Sequence, residues 1–160
     1  MDKYSIELVE QYPKLNLYSI RFDGDEYTEF ENFVIKFSEN DEYKNDLDVI
    51  LSWLDNIIRK GALERYFRPE SSYGSGVKAI PICTNNLRLY CIRLNDNLLI
   101  VGNGGVKDAG KWQDSSVLSP MVELLEDTEH FIKSRLKSGR LSFGRNGELI
   151  GDLNFTRKQQ

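Results

Sequence analysis

The residues best suited to chemistry in this chain are basic, and they crowd into its middle. Between residues 59 and 113, Arg59, Lys60, Arg65, Arg68, Lys78, Arg88, Arg93, Lys107 and Lys111 face only Glu64, Glu70, Asp96 and Asp108, a local charge of +5. Residues 1–58 carry −9 and residues 114–160 are neutral, which recovers the net −4. Whole-chain charge of that sign disfavours indiscriminate nucleic-acid binding, but the basic middle leaves room for a local polyanion site. A salt-bridged surface sampled unevenly accounts for the same asymmetry.

Within Leu87-Arg88-Leu89-Tyr90-Cys91-Ile92-Arg93, the period of two puts Arg88 and Tyr90 on one face of a strand. With Asn95-Asp96 as a two-residue turn, Arg88 would lie opposite Asn103 and Tyr90 opposite Val101. Lys107 would emerge past Asn103-Gly104-Gly105, and Arg68 could approach the same face. Cations beside a phenol and glycine amides make up what a phosphodiester site needs. Each residue also has an ordinary structural use. Arg88 can pair with acidic N-terminal residues, Tyr90 packs well in a sheet, and Lys107 suits a solvated turn. The glycine run lacks the Lys-Ser/Thr of a P-loop.

Several elements must position these groups. Tyr4–Leu8 and Leu17–Phe22 alternate apolar and polar around Pro13 and Asn16, a hairpin pattern. Phe30, Phe33, Val34 and Phe37 repeat at helical spacing. Asp41 is placed to cap a second helix carrying Leu47, Ile50, Leu51, Leu54, Ile57 and Ile58, with Gly61 as its stop. After the loop-forming Ser71–Gly76, the strands Val77–Ile82, Leu87–Arg93 and Leu98–Val101 read as a β-meander, with Pro81 at an edge or bulge. Ser119-Pro120 reads as the start of a last helix, with serine at the N-cap. Leu141–Phe143 and Leu149–Phe155 flank Arg145-Asn146-Gly147, a second hairpin signal, and Thr156–Gln160 reads as a frayed tail. The expected class is α+β: an antiparallel sheet against an N-terminal helix pair, with an extra N-terminal hairpin and a C-terminal helix plus hairpin.

Composition narrows the function classes. At 160 residues and 40% hydrophobic, the chain is sized for one domain, 1–160, with a core that needs neither disulfides nor a structural metal. No apolar run approaches the roughly 18 residues of a membrane helix. Met1-Asp2-Lys3-Tyr4 lacks a signal-peptide pattern, so a cytoplasmic location is expected. Cys83 and Cys91 match no zinc or CxxC spacing, and the single His130 excludes chemistry that needs two imidazoles.

The order of the helix pair, Ala62-Leu63-Glu64-Arg65-Tyr66-Phe67-Arg68-Pro69, Leu87–Arg93 and Leu98–Lys107 resembles the RelE/HigB superfamily, toxins of bacterial toxin–antitoxin pairs. The similar stretch covers about residues 17–107, within a RelE-like core of 17–113, and 114–160 forms an extension. Arg88 and Tyr90 approximate the phage-derived HigB-type strand segment; Gly104, Gly105 and Lys107 approximate the turn leading to a lysine pair. Asp108 stands where that pair has its second lysine, and Ile80-Pro81 where the family often has an arginine.

The resemblance implies cofactor-free, metal-free cleavage of mRNA on the ribosome, by attack of a ribose 2′-hydroxyl on the adjacent phosphate. It also implies neutralisation by an antitoxin, often a helix-turn-helix protein. Tyr90 or Lys107 would handle the proton, and Arg68 and Arg88 would stabilise the phosphate charge. Arg65, Lys78 and Lys111 would position RNA without reading sequence. A non-catalytic protein-binding module on the same scaffold, similar to ParE, is the competing expectation.

Overall fold

The computed structural model describes residues 2–69, 75–80, 86–107 and 115–158. Strands β1 (Asp2–Gln11) and β2 (Asn16–Phe22) form the N-terminal hairpin, in register Tyr4↔Phe22 through Gln11↔Asn16 with a bulge between Leu8 and Glu10. Helix α1 (Glu29–Ser38) opens on a capping box, the Thr28 hydroxyl accepting from Glu31 N–H while the Glu31 carboxylate accepts from Thr28 N–H. Helix α2 (Lys44–Lys60) starts after Tyr43 without a side-chain cap, so Asp41 does not hold the role expected of it. It stops at Gly61, whose φ of 97° only glycine adopts without strain.

A single 3-10 turn at Glu64–Tyr66 leads into β3 (Arg68–Pro69), β4 (Val77–Ile80), β5 (Leu87–Asn95) and β6 (Leu98–Val106). Helix α3 (Leu118–Ser138) follows, then the hairpin β7 (Leu141–Phe143) and β8 (Leu149–Gly151), and finally β9 (Asn154–Arg157). The fold class is thus α+β, as the sequence predicts.

The main sheet runs β3-β4-β5-β6-β2-β1-β9. Its pairings are antiparallel except β2 with β6, which run parallel from Asn16↔Leu98 to Ser19↔Val101. Alternation along the strands feeds two cores. One face carries Tyr4, Ile6, Tyr18, Ile20, Tyr90, Ile92 and Ile100 beneath Leu118, Val122, Leu125 and Ile132 of α3. The other carries Leu17, Leu89, Cys91, Leu99 and Val101 beneath Phe33 and Phe37 of α1 and Leu47, Ile50, Leu54 and Ile57 of α2.

Four expectations change in detail. Asn103-Gly104-Gly105 lies inside β6 rather than in a turn after it. Helix α3 begins at Leu118, one residue before the expected cap; the Ser115 hydroxyl, not Ser119, accepts from Val117 and Leu118 N–H. The expected strand Leu149–Phe155 is broken at Asp152-Leu153, because its second half leaves the hairpin to pair β9 with β1, Tyr4↔Phe155. That pairing holds Thr156 and Arg157 in a strand instead of a frayed tail. The expectation for Pro81 lies outside the described residues. Among the described residues, no helix is long and apolar enough to cross a membrane.

Candidate nucleic-acid interface

The β5–β6 turn is centred on Asp96-Asn97, since Asn95 pairs with Leu98. From Arg93↔Leu99 to Cys91↔Val101 the ladder is regular; it resumes at Leu89↔Gly104 and Arg88↔Gly105. Tyr90 therefore faces two residues, Gly102 and Asn103, of a bulged β6. The later turn sets Val101 against Cys91 instead of Tyr90, and the bulge adds one more residue, so Arg88 faces Gly105 instead of the expected Asn103.

The sheet register places three of the expected residues on the face that α3 covers. Arg68 pairs with Ala79, and Ala79 with Tyr90, so the three form one row across β3, β4 and β5. Arg88 lies two residues along β5 from Tyr90 and shares its side. At about 4.8 Å between strands and 3.3 Å per residue, the Arg68 and Arg88 backbones lie about 12 Å apart. That spacing is within the combined reach of two arginine side chains. Lys107 follows the end of β6, its N–H donating to Asn86 O at 2.7 Å, two residues beyond the Gly105 that faces Arg88. Alternation from Gly105 brings Lys107 to the same side.

Burial divides the four. Tyr90 is fully inaccessible within the core under α3, and Arg88 is only 5% exposed, its Nη1 donating to Leu87 O at 3.1 Å. Arg68 and Lys107 are half-exposed. The glycines of β6 explain how α3 comes so close. A Cβ at Gly102 would lie 3.1 Å from Leu125 Cδ2, and one at Gly105 would lie 3.2 Å from Leu118 Cδ2. Bare backbone at these two positions lets the helix settle onto the strand beside Arg88. Tyr90 is thus a core residue, and the proton-handling role considered for it has no surface from which to act.

The positioning residues do not join this group. Lys78 pairs with Cys91, whose side chain belongs to the α1–α2 core, so Lys78 alternates to the opposite face from Arg88. Arg65 is exposed on the 3-10 turn, its guanidinium 5.1 Å from the centre of the Tyr66 ring and donating to Tyr66 Oη at 3.3 Å. Tyr66 in turn packs against Trp53 of α2 with ring centres 6.3 Å apart. Arg65 therefore sits with the α1–α2 core. Lys111 lies outside the described residues.

Two supporting contacts, one at the bulge and one at the start of β4, carry no signal in the sequence. Lys36 of α1 donates from Nζ to Gly104 O at 3.2 Å and lies 5.0 Å from the Phe37 ring centre. Partial burial depresses its ammonium below the usual lysine range. It supports the bulge from the α1 side, and its solvent-facing place in the helical repeat concealed that contact. Glu129 of α3, nearly buried, accepts from Gly76 N–H and from Ser75 Oγ at 3.0 Å, and pairs with Lys133 at 3.5 Å. It pins the start of β4 to the helix that overlies the site. Cys91 offers no nucleophile, because complete burial pushes its thiol far above the ordinary range.

Comparison of the chain with protein-family profiles, with curated proteins and with solved structures gives no significant match in any of the three.

Proposed function

We propose that this chain is a RelE/HigB-like toxin that engages and cleaves an mRNA phosphodiester, and that an antitoxin restrains it. The observation that supports this reading is the register that brings Arg68 and Arg88 to one face near one end of the sheet, with Lys107 held just past β6 by its N–H bond to Asn86 O. Half-exposed Arg68 and Lys107 would make first contact with the phosphate. Arg88, beneath them, would add fixed positive charge in a low-dielectric setting, where it acts more strongly than at the surface.

In a metal-free cleavage, the 2′-oxygen forms its bond to phosphorus as the 5′-oxygen leaves. One proton moves off the first and one onto the second. With Tyr90 enclosed, Lys107 is the remaining proton carrier of the set, while the Arg68 guanidinium would hold the non-bridging oxygens and Arg88 would act on them only through its field.

The burial of Arg88 and Tyr90 under α3 favours a second reading, a non-catalytic protein-binding module on the same scaffold. Expression in bacteria with measurement of translation, alongside ribosome-dependent cleavage of a reporter mRNA, separates the two. The first reading expects translation arrest with cleaved mRNA, and loss of both in Arg68→Ala and Lys107→Ala proteins that keep their circular dichroism. Arrest with intact mRNA would transfer the conclusion to the second reading. Normal growth with abundant folded protein would refute the first reading, and purified protein that leaves RNA intact and captures no protein partner would refute the second.

A further inference from the structure

Three chain reversals meet at the sheet end remote from Arg88 and Lys107. They are the Tyr12–Leu15 turn, the Asp96-Asn97 turn and the Arg145-Asn146-Gly147 turn. Asn16, 2% exposed, ties them together. Its Nδ2 donates to Asn97 O at 3.2 Å and to Asn146 O at 3.0 Å, and its Oδ1 accepts from Gln11 Nε2 at 2.8 Å. Asn97 Nδ2 adds a bond to Lys14 O at 3.2 Å. Gly147, at φ 86°, brings its turn to this junction, where a Cβ would lie 3.3 Å from Asn16 Nδ2.

Between the turns lies a cavity of about 550 Å³, lined by Gln11, Tyr12, Asn97, Arg145, Asn146 and Gly147 among others. That volume falls within the range of small-ligand sites, roughly 300–1,000 Å³. Its lining includes one uncommitted cation, whereas Arg65 donates to Tyr66 Oη and six other arginines reach carboxylates. Arg21, Arg59, Arg93, Arg135, Arg140 and Arg157 each pair with a carboxylate. Arg145 has no ion pair or hydrogen bond among the described residues. The Asn146 carboxamide and the Asn97 Oδ1 are likewise uncommitted among the described residues.

We propose that this cavity binds a nucleoside monophosphate. The guanidinium of Arg145 supplies a two-pronged donor for the phosphate. The carboxamides of Asn97 and Asn146 offer the paired donor and acceptor that match a base edge, and the Tyr12 ring offers a flat apolar surface for the base. The Asn16 hydrogen bonds hold the turns in place beforehand, which lowers the ordering cost of binding. The cavity lies roughly 25–30 Å along β6 from Lys107, so it is separate from the cationic wall and does not rest on the toxin reading.

Isothermal titration of the full chain with AMP, GMP, CMP and UMP tests the proposal, with the corresponding nucleosides and inorganic phosphate run in parallel. At least one monophosphate should bind, and its nucleoside and inorganic phosphate should each bind at least about tenfold more weakly. Arg145→Ala should weaken that monophosphate by about tenfold or more at unchanged melting temperature, since the side chain sits on an exposed turn. Asn146→Ala should change the preference among bases. Absence of binding by all four monophosphates would overturn the proposal. So would inorganic phosphate binding as tightly as the nucleotide, or unaltered affinity in Arg145→Ala.

Discussion

Gly104 is where a single methyl group should do the most damage to the cationic wall. An added Cβ there would lie 1.9 Å from the Arg88 carbonyl oxygen, 2.9 Å from its carbon and 3.0 Å from Leu89 Cα. Against a contact optimum of about 3.5 Å, the shortest approach is too close by roughly 1.6 Å. All three obstacles are backbone, so no rotamer change relieves them. Only a separation of β5 from β6 can. Overpacking costs about 1–3 kcal/mol and occasionally more, and a main-chain obstacle sets the expectation for Gly104→Ala at about 3 kcal/mol or above. For a chain of this size that lowers the melting temperature by roughly 6–12 °C.

Gly105→Ala is the control one residue away. Its nearest obstacles are the side-chain tips Leu118 Cδ2 at 3.2 Å and Val117 Cγ1 at 3.7 Å, which can yield. It should cost less than about 1 kcal/mol. Thermal melts followed by circular dichroism, with urea titrations to check that the slope is unchanged, measure both variants. A Gly104→Ala protein melting within about 2 °C of the parent would refute the bulge geometry, and with it the register that sets Arg88 against Gly105. A Gly105→Ala protein that proved the less stable of the two would do the same.

Two further expectations concern α3 and the C-terminal strands. Thr128 Oγ1 lies 2.7 Å from both Leu124 O and Tyr4 Oη, and the carbonyl can only accept, so Tyr4 donates to Thr128. Thr128→Val leaves the buried Tyr4 hydroxyl without its acceptor and should cost about 1–3 kcal/mol in urea unfolding. Tyr4→Phe should cost less, and the double variant should cost less than the two singles combined. The Asp152 carboxyl is held below the usual aspartate range, chiefly by the Asn154 N–H, with Arg135 and Arg140 adding to it. A depressed native value means that the unfolded chain binds the proton more readily. The contribution of Asp152 is thus full above about pH 4 and is lost as pH falls through the lower native value. Asp152→Asn should flatten the acid side of a plot of urea midpoint against pH, and an unchanged slope would count against it.

The parts of the fold that the sequence made legible are those whose pattern is local. The N-terminal hairpin follows from the alternation of Tyr4–Leu8 and Ser19–Phe22, and α1 and α2 from Phe33–Phe37 and Leu47–Ile57 at helical spacing, with Gly61 marking the stop. The sequence pattern ends β6 at Val101, because Gly102-Asn103-Gly104-Gly105 has the composition of a turn. In the structure these glycines serve close approach of α3 and of β5. Nothing local could reveal that choice, since Leu118 and Leu125 lie more than a dozen residues further on.

The candidate site was legible to the same degree. Period two places Arg88 and Tyr90 on one side, but which helix covers that side depends on the sheet order. The burial of Tyr90 and Arg88 therefore came only with the structure. In the sequence Arg145 reads as a turn residue alone, because Asn97 and Tyr12, which share its cavity, are brought there by hairpins far apart in the chain.

The parallel contact of β2 with β6 has a consequence for how the protein is made. The hairpin β1–β2 is complete once residue 22 has been synthesised, yet the free side of β2 meets its partner only when Leu98–Val101 are available. At ribosomal speeds of about 5–20 residues per second, that gap leaves an apolar strand rim open for roughly 4–16 s. The other rim, along Asp2–Ser5, waits longer still, until β9 is made. During that interval the nascent hairpin is a template for pairing with any neighbouring chain, so yield during overexpression should depend on translation speed and chaperone supply more than on the stability of the finished protein.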